Sequence, residues 1–418
     1  MNILDELKWR GLIYDIINEE ELKERLKKPI TLYCGFDPTA DSMHIGSLLP
    51  IVTLMRFHKA GHHIIALTGT GTGLIGDPSG KRSERQMNKE EVVHQWAKRF
   101  DEQFAKFIPF DGKTAFSENN YTWLGKLQAI EMWRDYGKHF PINYMLAKDS
   151  VKSRLENGLT YLEFSYMIMQ AIDFLKMYQN PRLNCQMQIG GQDQWGNITA
   201  GIELIRRVEG PEAKAYGLTL PLITKSDGSK FGKTETGTIW LDANKTSAYE
   251  MYQFFFNTAD SDVIRFLKYY TFLDQQEIAS LEEEVKEAPH NRKAQKVLAE
   301  TITKLVHGEE GLLKAQTLTT SLFTGDIQNL NVNDIKDCFK DVPSFELIND
   351  ENLVTVLVNV KAATSKREAR EFIQNGAISI NGQIEKNIEA IISKKKAIDE
   401  TFTVIRRGKK NYYLIKHK

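Results

Sequence analysis

Two short stretches hold the residues with the most chemistry. The first is His44-Ile45-Gly46-Ser47, inside Leu32–Pro50, which reads LYCGFDPTADSMHIGSLLP. The second, far downstream, is Lys230-Phe231-Gly232-Lys233-Thr234. Around the first, Ile30–Cys34 is β-prone, Gly35 ends the run, and Asp37-Pro38-Thr39-Ala40-Asp41 is turn chemistry. From Ser47 onward, Leu48, Ile51, Val52, Met55 and Phe57 fall at helical spacing, with Gly61 as the stop. His44 to Ser47 thus sits where a strand hands over to a helix, and free N–H groups and the helix dipole favour an anion there. Gly46 removes a side chain so that a planar ligand can reach the backbone, and His44 and Ser47 add donors. For His-x-Gly alone, a surface histidine ahead of an ordinary helix cap is the preferred account.

The second stretch lies in Ser226–Thr238, rich in Gly, Ser, Thr and Lys, where Gly228, Gly232 and Gly237 give conformational freedom. Two lysines three apart on such a loop can close on a polyphosphate and supply charge once substrate is bound. Alone, it reads as a solvated surface loop.

The order of the two stretches and the strand-helix context of the first resemble the signature of the class I aminoacyl-tRNA synthetases. There the usual forms are His-Ile-Gly-His and Lys-Met-Ser-Lys-Ser; here they stand as HIGS and KFGKT. With YCGFDPTADS, GLIGDPSGK, YMIMQAIDF and QIGGQDQWGNI, the chain resembles the bacterial-type tyrosyl-tRNA synthetase family over essentially its whole length. The resemblance implies ATP-dependent activation of L-tyrosine to tyrosyl-adenylate, transfer to the 3′ end of tRNA(Tyr), and a homodimer. Ser47 departs from the last histidine of the first motif, and Gln192 from a common serine.

The remaining candidates lie on elements that must place them beside these stretches. Tyr161–Tyr178 is helical, with Tyr166, Gln170 and Asp173 on one face among apolar neighbours. Buried polar groups need partners, and a small polar ligand in an apolar slot supplies them; helix-surface residues are the plainer account. The resemblance implies that Tyr166 and Gln170 hold the α-ammonium, with Asp77, and that Tyr33 and Asp173 bind the phenol hydroxyl. A hydroxyl-reading pair left unpaired by phenylalanine rejects it strongly, and tyrosyl-tRNA synthetase is the standard example of that principle. In Gln188–Asn197 a strand enters Gly190-Gly191 and then a helix, where Asp193 and Gln194 also read as helix capping. By resemblance Gly191 and Asp193 contact the ATP ribose, and Gln194 the tyrosine end. Gly35, Asp37, His44 and Gly46 complete the ATP contacts, with Lys81, Arg85 and Lys233 at the triphosphate. Solvated loop charge is the plainer reading of Lys81 and Arg85. The resemblance further implies that His44, Lys230, Lys233 and Thr39 stabilise the leaving pyrophosphate, with Ser47 and Thr234 in the same motifs. No nucleophile or base stands out, so catalysis rests on positioning and charge. Mg²⁺ is expected as the counter-ion of ATP, with no metal site in the chain itself.

Strand signals at Ile30–Cys34, Ile64–Thr68, Gln186–Ile189 and Leu218–Thr224 alternate with helical stretches, which indicates a parallel α/β sheet with ligands at the carboxyl ends of its strands. Together with the resemblance this gives a Rossmann-like catalytic domain over 1–245, a helical anticodon-side domain over 246–322, a linker over 323–350, and a small α+β RNA-binding module over 351–418. In that module Asn381-Gly382 marks a hairpin. Residues 351–418 carry 14 Lys and Arg against 7 Asp and Glu, leaving 41 against 48 in residues 1–350. A basic end on an acidic body suits a polyanion, and Lys366, Arg367, Arg370, Arg406, Arg407, Lys409 and Lys410 are the candidate RNA contacts.

At 418 residues the chain has room for two or three domains. Its cysteines, Cys34, Cys185 and Cys338, show no metal or disulfide spacing, the N-terminus MNILDELKWRG does not read as a signal peptide, and no stretch approaches the roughly 18 apolar residues of a membrane span. A cytoplasmic protein is expected. Two rivals stand beside the synthetase reading. Gly71-Thr72-Gly73-Leu74-Ile75-Gly76 matches the dinucleotide pattern of a nicotinamide-dependent oxidoreductase, although a lone GxGxxG is weak. A non-catalytic RNA-binding paralogue could keep the fold, but retention of His44, both lysines and the tyrosine pocket argues against it.

Overall fold

The computed structural model describes residues 2–79, 87–155, 158–228, 231–234, 237–340, 342–408 and 411–418. Packing divides the chain into two units, 1–245 with 258–298, and 246–257 with 299–418.

The first unit is built on a six-stranded sheet. Its strands are β1 (Asp15–Ile16), β2 (Thr31–Phe36), β3 (His63–Thr68), β4 (Ala115–Asn119), β5 (Cys185–Gly191) and β6 (Tyr216–Leu220). The order is β1-β6-β5-β2-β3-β4, parallel throughout except for the antiparallel edge strand β1. From β2 the chain runs to β3 and β4 on one side, then returns to place β5 and β6 on the other. The reversal of direction falls between β2 and β5, the position at which an open α/β sheet binds its ligand. β2 is paired on both edges, and all its residues except Gly35 are buried, as expected of a continuous apolar strand at the centre of a parallel sheet.

Helices Leu48–Lys59, Glu90–Phe107, Tyr161–Gln179 and Trp195–Glu209 follow these strands. Thr160 starts Tyr161–Gln179 by accepting the N–H of Glu163. That helix packs into an apolar cluster with Tyr33, Leu67, Phe116, Met167, Ala171, Phe174 and Leu204.

The strands differ from the sequence reading at their ends. β2 runs through Gly35 to Phe36, because pairing with Thr68 of β3 extends that far. β6 stops at Leu220, since Pro221 lacks the N–H a ladder needs. β1 and β4 are edge strands with few apolar residues, and the sequence does not announce them.

The second unit carries a five-stranded sheet, in which Asn411–His417 lies between Phe402–Arg407, antiparallel, and Ser344–Leu347, parallel. The expected hairpin is present: Ile378–Ile380 pairs with Gln383–Ile384, and both Asn381 (φ 47) and Gly382 (φ 91) are left-handed. A Cβ at Gly382 would lie 1.8 Å from the Gly325 carbonyl oxygen, so the turn requires glycine. Lys366–Gln374 packs Ala369 and Ile373 inward and exposes Lys366, Arg367 and Arg370.

Two boundaries are drawn otherwise than in the sequence. The stretch read as a helical domain, 246–322, does contain helices Ala248–Phe256, Asp260–Tyr270, Gln275–Glu287 and Lys293–Thr324, but 258–298 groups with the first unit. The stretch read as a linker, 323–350, contains the helix Val332–Cys338, started by a capping box of Asn331 and Asp334, and the strand Ser344–Leu347. Its Ile327, Leu330, Ile335 and Phe339 are buried. Residues spaced too sparsely to show a period still bury one face.

Candidate active site

A cavity of about 800 Å³ opens at the carboxyl ends of β2 and β5. From β2 and the turn after it come Tyr33, Cys34, Gly35, Asp37 and Thr39; from the first signature, His44, Gly46 and Ser47. Asp77 lies on the segment after β3, Tyr166, Gln170 and Asp173 on the helix Tyr161–Gln179, and Gly191, Asp193 and Gln194 at the end of β5. All these candidates line one space. Lys81, Arg85 and Lys230 lie outside the described residues, as do Lys409 and Lys410 of the basic module. Lys233 and Thr234 are described only as backbone, paired antiparallel with Thr238 and Gly237.

The deep end of the cavity combines an apolar wall with two polar groups of particular kind. Tyr33 is 1% exposed and packs edge-on against Phe174 at 5.4 Å, and its hydroxyl has no hydrogen-bond partner. Burial, with the nearby charge of Asp173, raises the Tyr33 phenol well above its ordinary range. Asp173 is 2% exposed and receives Nδ2–H of Asn120 at 2.9 Å and Nε1–H of Trp123 at 2.7 Å. Burial outweighs these two bonds and pushes its carboxyl up to about 8. Gln188 Oε1, also buried on the cavity wall, lacks a partner. A buried hydroxyl without a partner beside a braced carboxylate is a site made for one more hydroxyl.

Above it lies a network that suits an ammonium group. Tyr166 OH donates to Asp37 Oδ2 at 2.7 Å, and Thr72 Oγ1 donates to Asp37 Oδ1 at 2.7 Å. Gln194 Nε2 donates to Asp77 Oδ2 at 2.6 Å and to Asp193 Oδ2 at 2.9 Å. Asn197 Nδ2 donates to Gln170 Oε1 at 3.0 Å. Gln194 accepts Nδ2–H of Asn197 on its Oε1 at 3.2 Å but takes none of the backbone N–H groups that start the following helix, so helix capping does not account for it. Asp37 also dictates a glycine: a Cβ at Gly69 would lie 2.0 Å from its Oδ1.

At the outer end, His44 Nδ1 accepts the N–H of Gly46 at 3.0 Å, which leaves the ring proton on Nε2 and makes it a donor. Gly46 is required by that ring itself, since a Cβ there would lie 2.7 Å from His44 Cε1. Ser47 makes no cap bond to the helix behind it. The two signatures are joined through the backbone. Ile45 N–H donates to the Ile239 carbonyl at 2.9 Å, Ile239 N–H donates to the Gly232 carbonyl at 3.0 Å, and His44 bridges Trp240. Cys34 lines the cavity, but burial pushes its thiol up to about 12, which removes it as a nucleophile.

Asn120, Trp123, Thr72, Asn197 and Gln188 belong to this site, and sequence reasoning does not find them. Thr72, Gln188 and Asn197 lie in stretches the sequence singles out, but nothing in the pattern picks out those side chains; Asn120 and Trp123 follow an edge strand whose own signal is weak. In the basic module, Arg407 donates to the Ala362 carbonyl at 2.6 Å and covers Phe372 at 5.3 Å, so it braces the fold.

A parallel sheet with this site at its direction reversal, joined to the two signatures, defines a class of enzyme. The family model described as "tRNA synthetases class I (W and Y)" matches residues 24–324, and that of the "Tyrosine--tRNA ligase SYY-like C-terminal domain" matches residues 334–415. The chain is 56% identical over 421 residues to the tyrosine–tRNA ligase of Bacillus caldotenax, and likewise to that of Geobacillus stearothermophilus, covering 100% of both sequences in each case. A crystal structure of a C-terminally truncated mitochondrial tyrosyl-tRNA synthetase from Aspergillus nidulans superposes with a TM-score of 0.68 at 32% identity, over 77% of this chain and 94% of that one. The chain belongs to the class I aminoacyl-tRNA synthetases and, within them, to the tyrosine–tRNA ligase family.

Proposed function

We infer that the protein activates L-tyrosine with ATP and transfers the tyrosyl group to the 3′ end of tRNA(Tyr). The observation that carries the amino-acid specificity is the partnerless Tyr33 hydroxyl beside Asp173 at the buried end of the cavity. Tyrosine enters phenol first, its hydroxyl between Tyr33 and Asp173, and its ammonium among Asp77, Tyr166 and Gln170, with Gln194 beside them. Its carboxylate oxygen attacks the α-phosphorus of ATP in line, forming the acyl–phosphate bond as the bond to pyrophosphate breaks. A terminal ribose hydroxyl of the tRNA then takes the acyl group and AMP leaves. Asp193 and Gly191 receive the ribose of ATP, and Gly35 and Asp37 border it. Cys34 is not nucleophilic, so the chain works by positioning and by charge at the leaving group. There His44 donates from Nε2, with Thr39, Ser47, Lys230, Lys233 and Thr234 alongside, and Lys81 and Arg85 act on the triphosphate.

Magnesium arrives with ATP as its counter-ion. The cavity's carboxylates are engaged with the chain's own donors: Asp37 with Tyr166 and Thr72, Asp77 with Gln194, and Asp173 with Asn120 and Trp123. The exposed Lys366, Arg367 and Arg370 carry RNA contacts of the module over 351–418, with Arg406, Lys409 and Lys410 as further contacts; the module follows the 246–322 helices and the 323–350 connection.

The enzyme works as a homodimer. Ile130, Trp133, Ile142, Leu146, Leu155 and Tyr161 are large apolar side chains left exposed within one short stretch of the first unit, and a second copy covers them. Three free cysteines, two of them buried, suit the reducing cytoplasm. Tyrosine-dependent exchange of pyrophosphate into ATP, followed by charging of tRNA(Tyr), tests the whole reading. Exchange without charging, or charging with another amino acid, contradicts it.

A further inference from the structure

The chain leading into the second signature is held at two points by one helix, Asp260–Tyr270, which the reaction as described does not use. Arg265 Nη2 donates to the Thr224 carbonyl at 2.7 Å. The backbone N–H and the hydroxyl of Ser226 both donate to Asp262 Oδ2, at 3.0 and 3.1 Å, while Arg265 holds the other oxygen at 2.5 Å. Further along the helix, Phe231 packs edge-on against Phe266 at 4.8 Å and stacks on Tyr270 at 5.9 Å. Ser226 and Phe231 flank Lys230 in sequence.

The far end of the helix is fastened to the first signature. The last carbonyls of a helix have no partners within it. Here two buried guanidiniums supply them: Arg10 donates to the carbonyls of Lys268, Thr271 and Leu273, and Arg56 to those of Tyr269 and Thr271. Glu6 Oε1 ties the two together, at 2.8 Å from Arg10 Nε and 3.0 Å from Arg56 Nη1. Arg56 belongs to Leu48–Lys59, the helix that grows out of His44–Ser47. One chain of contacts therefore runs from the helix that follows the first signature, through Arg56 and Asp260–Tyr270, to Ser226 and Phe231.

We propose that Asp262 is a positioning residue for adenylate formation: through Ser226 it holds in place the stretch that leads into the second signature. The inference rests on the functional reading above. An acidic residue in the first turn is common because of the helix dipole, but that does not explain why this one is 3% exposed and gives an oxygen twice to Ser226.

The test compares wild type with Asp262→Ala, Asp262→Asn and Ser226→Ala, measuring the single-turnover rate of tyrosyl-adenylate formation, the tyrosine dissociation constant and thermal unfolding. Asp262→Ala slows adenylate formation by about tenfold or more while tyrosine affinity stays within about twofold, because a misplaced leaving-group contact costs rate and not ground-state binding. Asp262→Asn keeps an oxygen for the Ser226 N–H and restores most of the rate. Ser226 is exposed, so Ser226→Ala carries the test if Asp262→Ala fails to fold, and it slows the step by about two- to threefold with unchanged tyrosine affinity. Wild-type rates in these variants, or tyrosine affinity falling in step with the rate, overturn the proposal. A wild-type protein that forms no tyrosyl-adenylate overturns instead the functional reading beneath it.

Discussion

Asn120 donates to Asp173 at 2.9 Å, and both side chains are buried at the deep end of the cavity. That bond and the one from Trp123 hold the carboxylate in one orientation and leave it lone pairs for a ligand hydroxyl. Burial nonetheless pushes its carboxyl up to about 8 from an unfolded value of 3.8. A tyrosine hydroxyl donates best to the ionised form. Tyrosine binding near neutral pH is therefore accompanied by proton release, which titration calorimetry in buffers of different ionisation enthalpy reads directly. Binding without proton release contradicts this placement.

The same shift fixes the sign of a stability effect. A carboxyl whose pKa is raised on folding contributes its full stability below the unfolded value, 3.8, and loses it as pH climbs through about 8. Thermal unfolding of the ligand-free enzyme has a component declining across that window, and Asp173→Asn, which cannot ionise, lacks it. Equal pH dependence in the two proteins rules out Asp173 as its source.

Gly69→Ala reaches the site without replacing a ligand-binding side chain. The added Cβ would lie 2.0 Å from Asp37 Oδ1 and 2.6 Å from Thr72 Oγ1, so Asp37 has to move and its bond to Tyr166 is lost. The expected cost is about 1–3 kcal/mol, or roughly 5- to 150-fold in tyrosine affinity. Unchanged affinity by equilibrium dialysis contradicts the coupling.

On the basic module, Arg370→Glu weakens tRNA binding and lowers the slope of log affinity against log salt by about one or more, with pyrophosphate exchange unaffected. A loss of exchange contradicts the separation of the two activities.

Ile142, 61% exposed, tests the association of two copies. Ile142→Asp places a charge in the apolar face and lowers the sedimentation coefficient from dimer to monomer at micromolar concentration. A wild-type protein that sediments as a monomer contradicts the dimer.

What the sequence makes legible, and what it hides, follows from physical range. β2 and β3 are central strands with apolar runs and β5 ends in a Gly-Gly turn, so they show, and Tyr33 within β2, Asp37 after it and Gly191 at the end of β5 can be placed. The face of Tyr166, Gln170 and Asp173 follows from helical spacing alone. Asn120 and Trp123 bond Asp173 from about 50 residues away in sequence, and no local pattern encodes so distant a contact. Ile327, Leu330 and Ile335 bury a face too short to show a period, so the stretch containing them reads as a linker.

The most direct measurement is tyrosine-dependent pyrophosphate exchange, run side by side with phenylalanine and tryptophan, in wild type and in Asp173→Ala. Exchange with tyrosine alone, lost in the variant, is the predicted result. Exchange with phenylalanine as fast as with tyrosine, or tyrosine selectivity kept without Asp173, contradicts the claim that Tyr33 and Asp173 read the phenol hydroxyl.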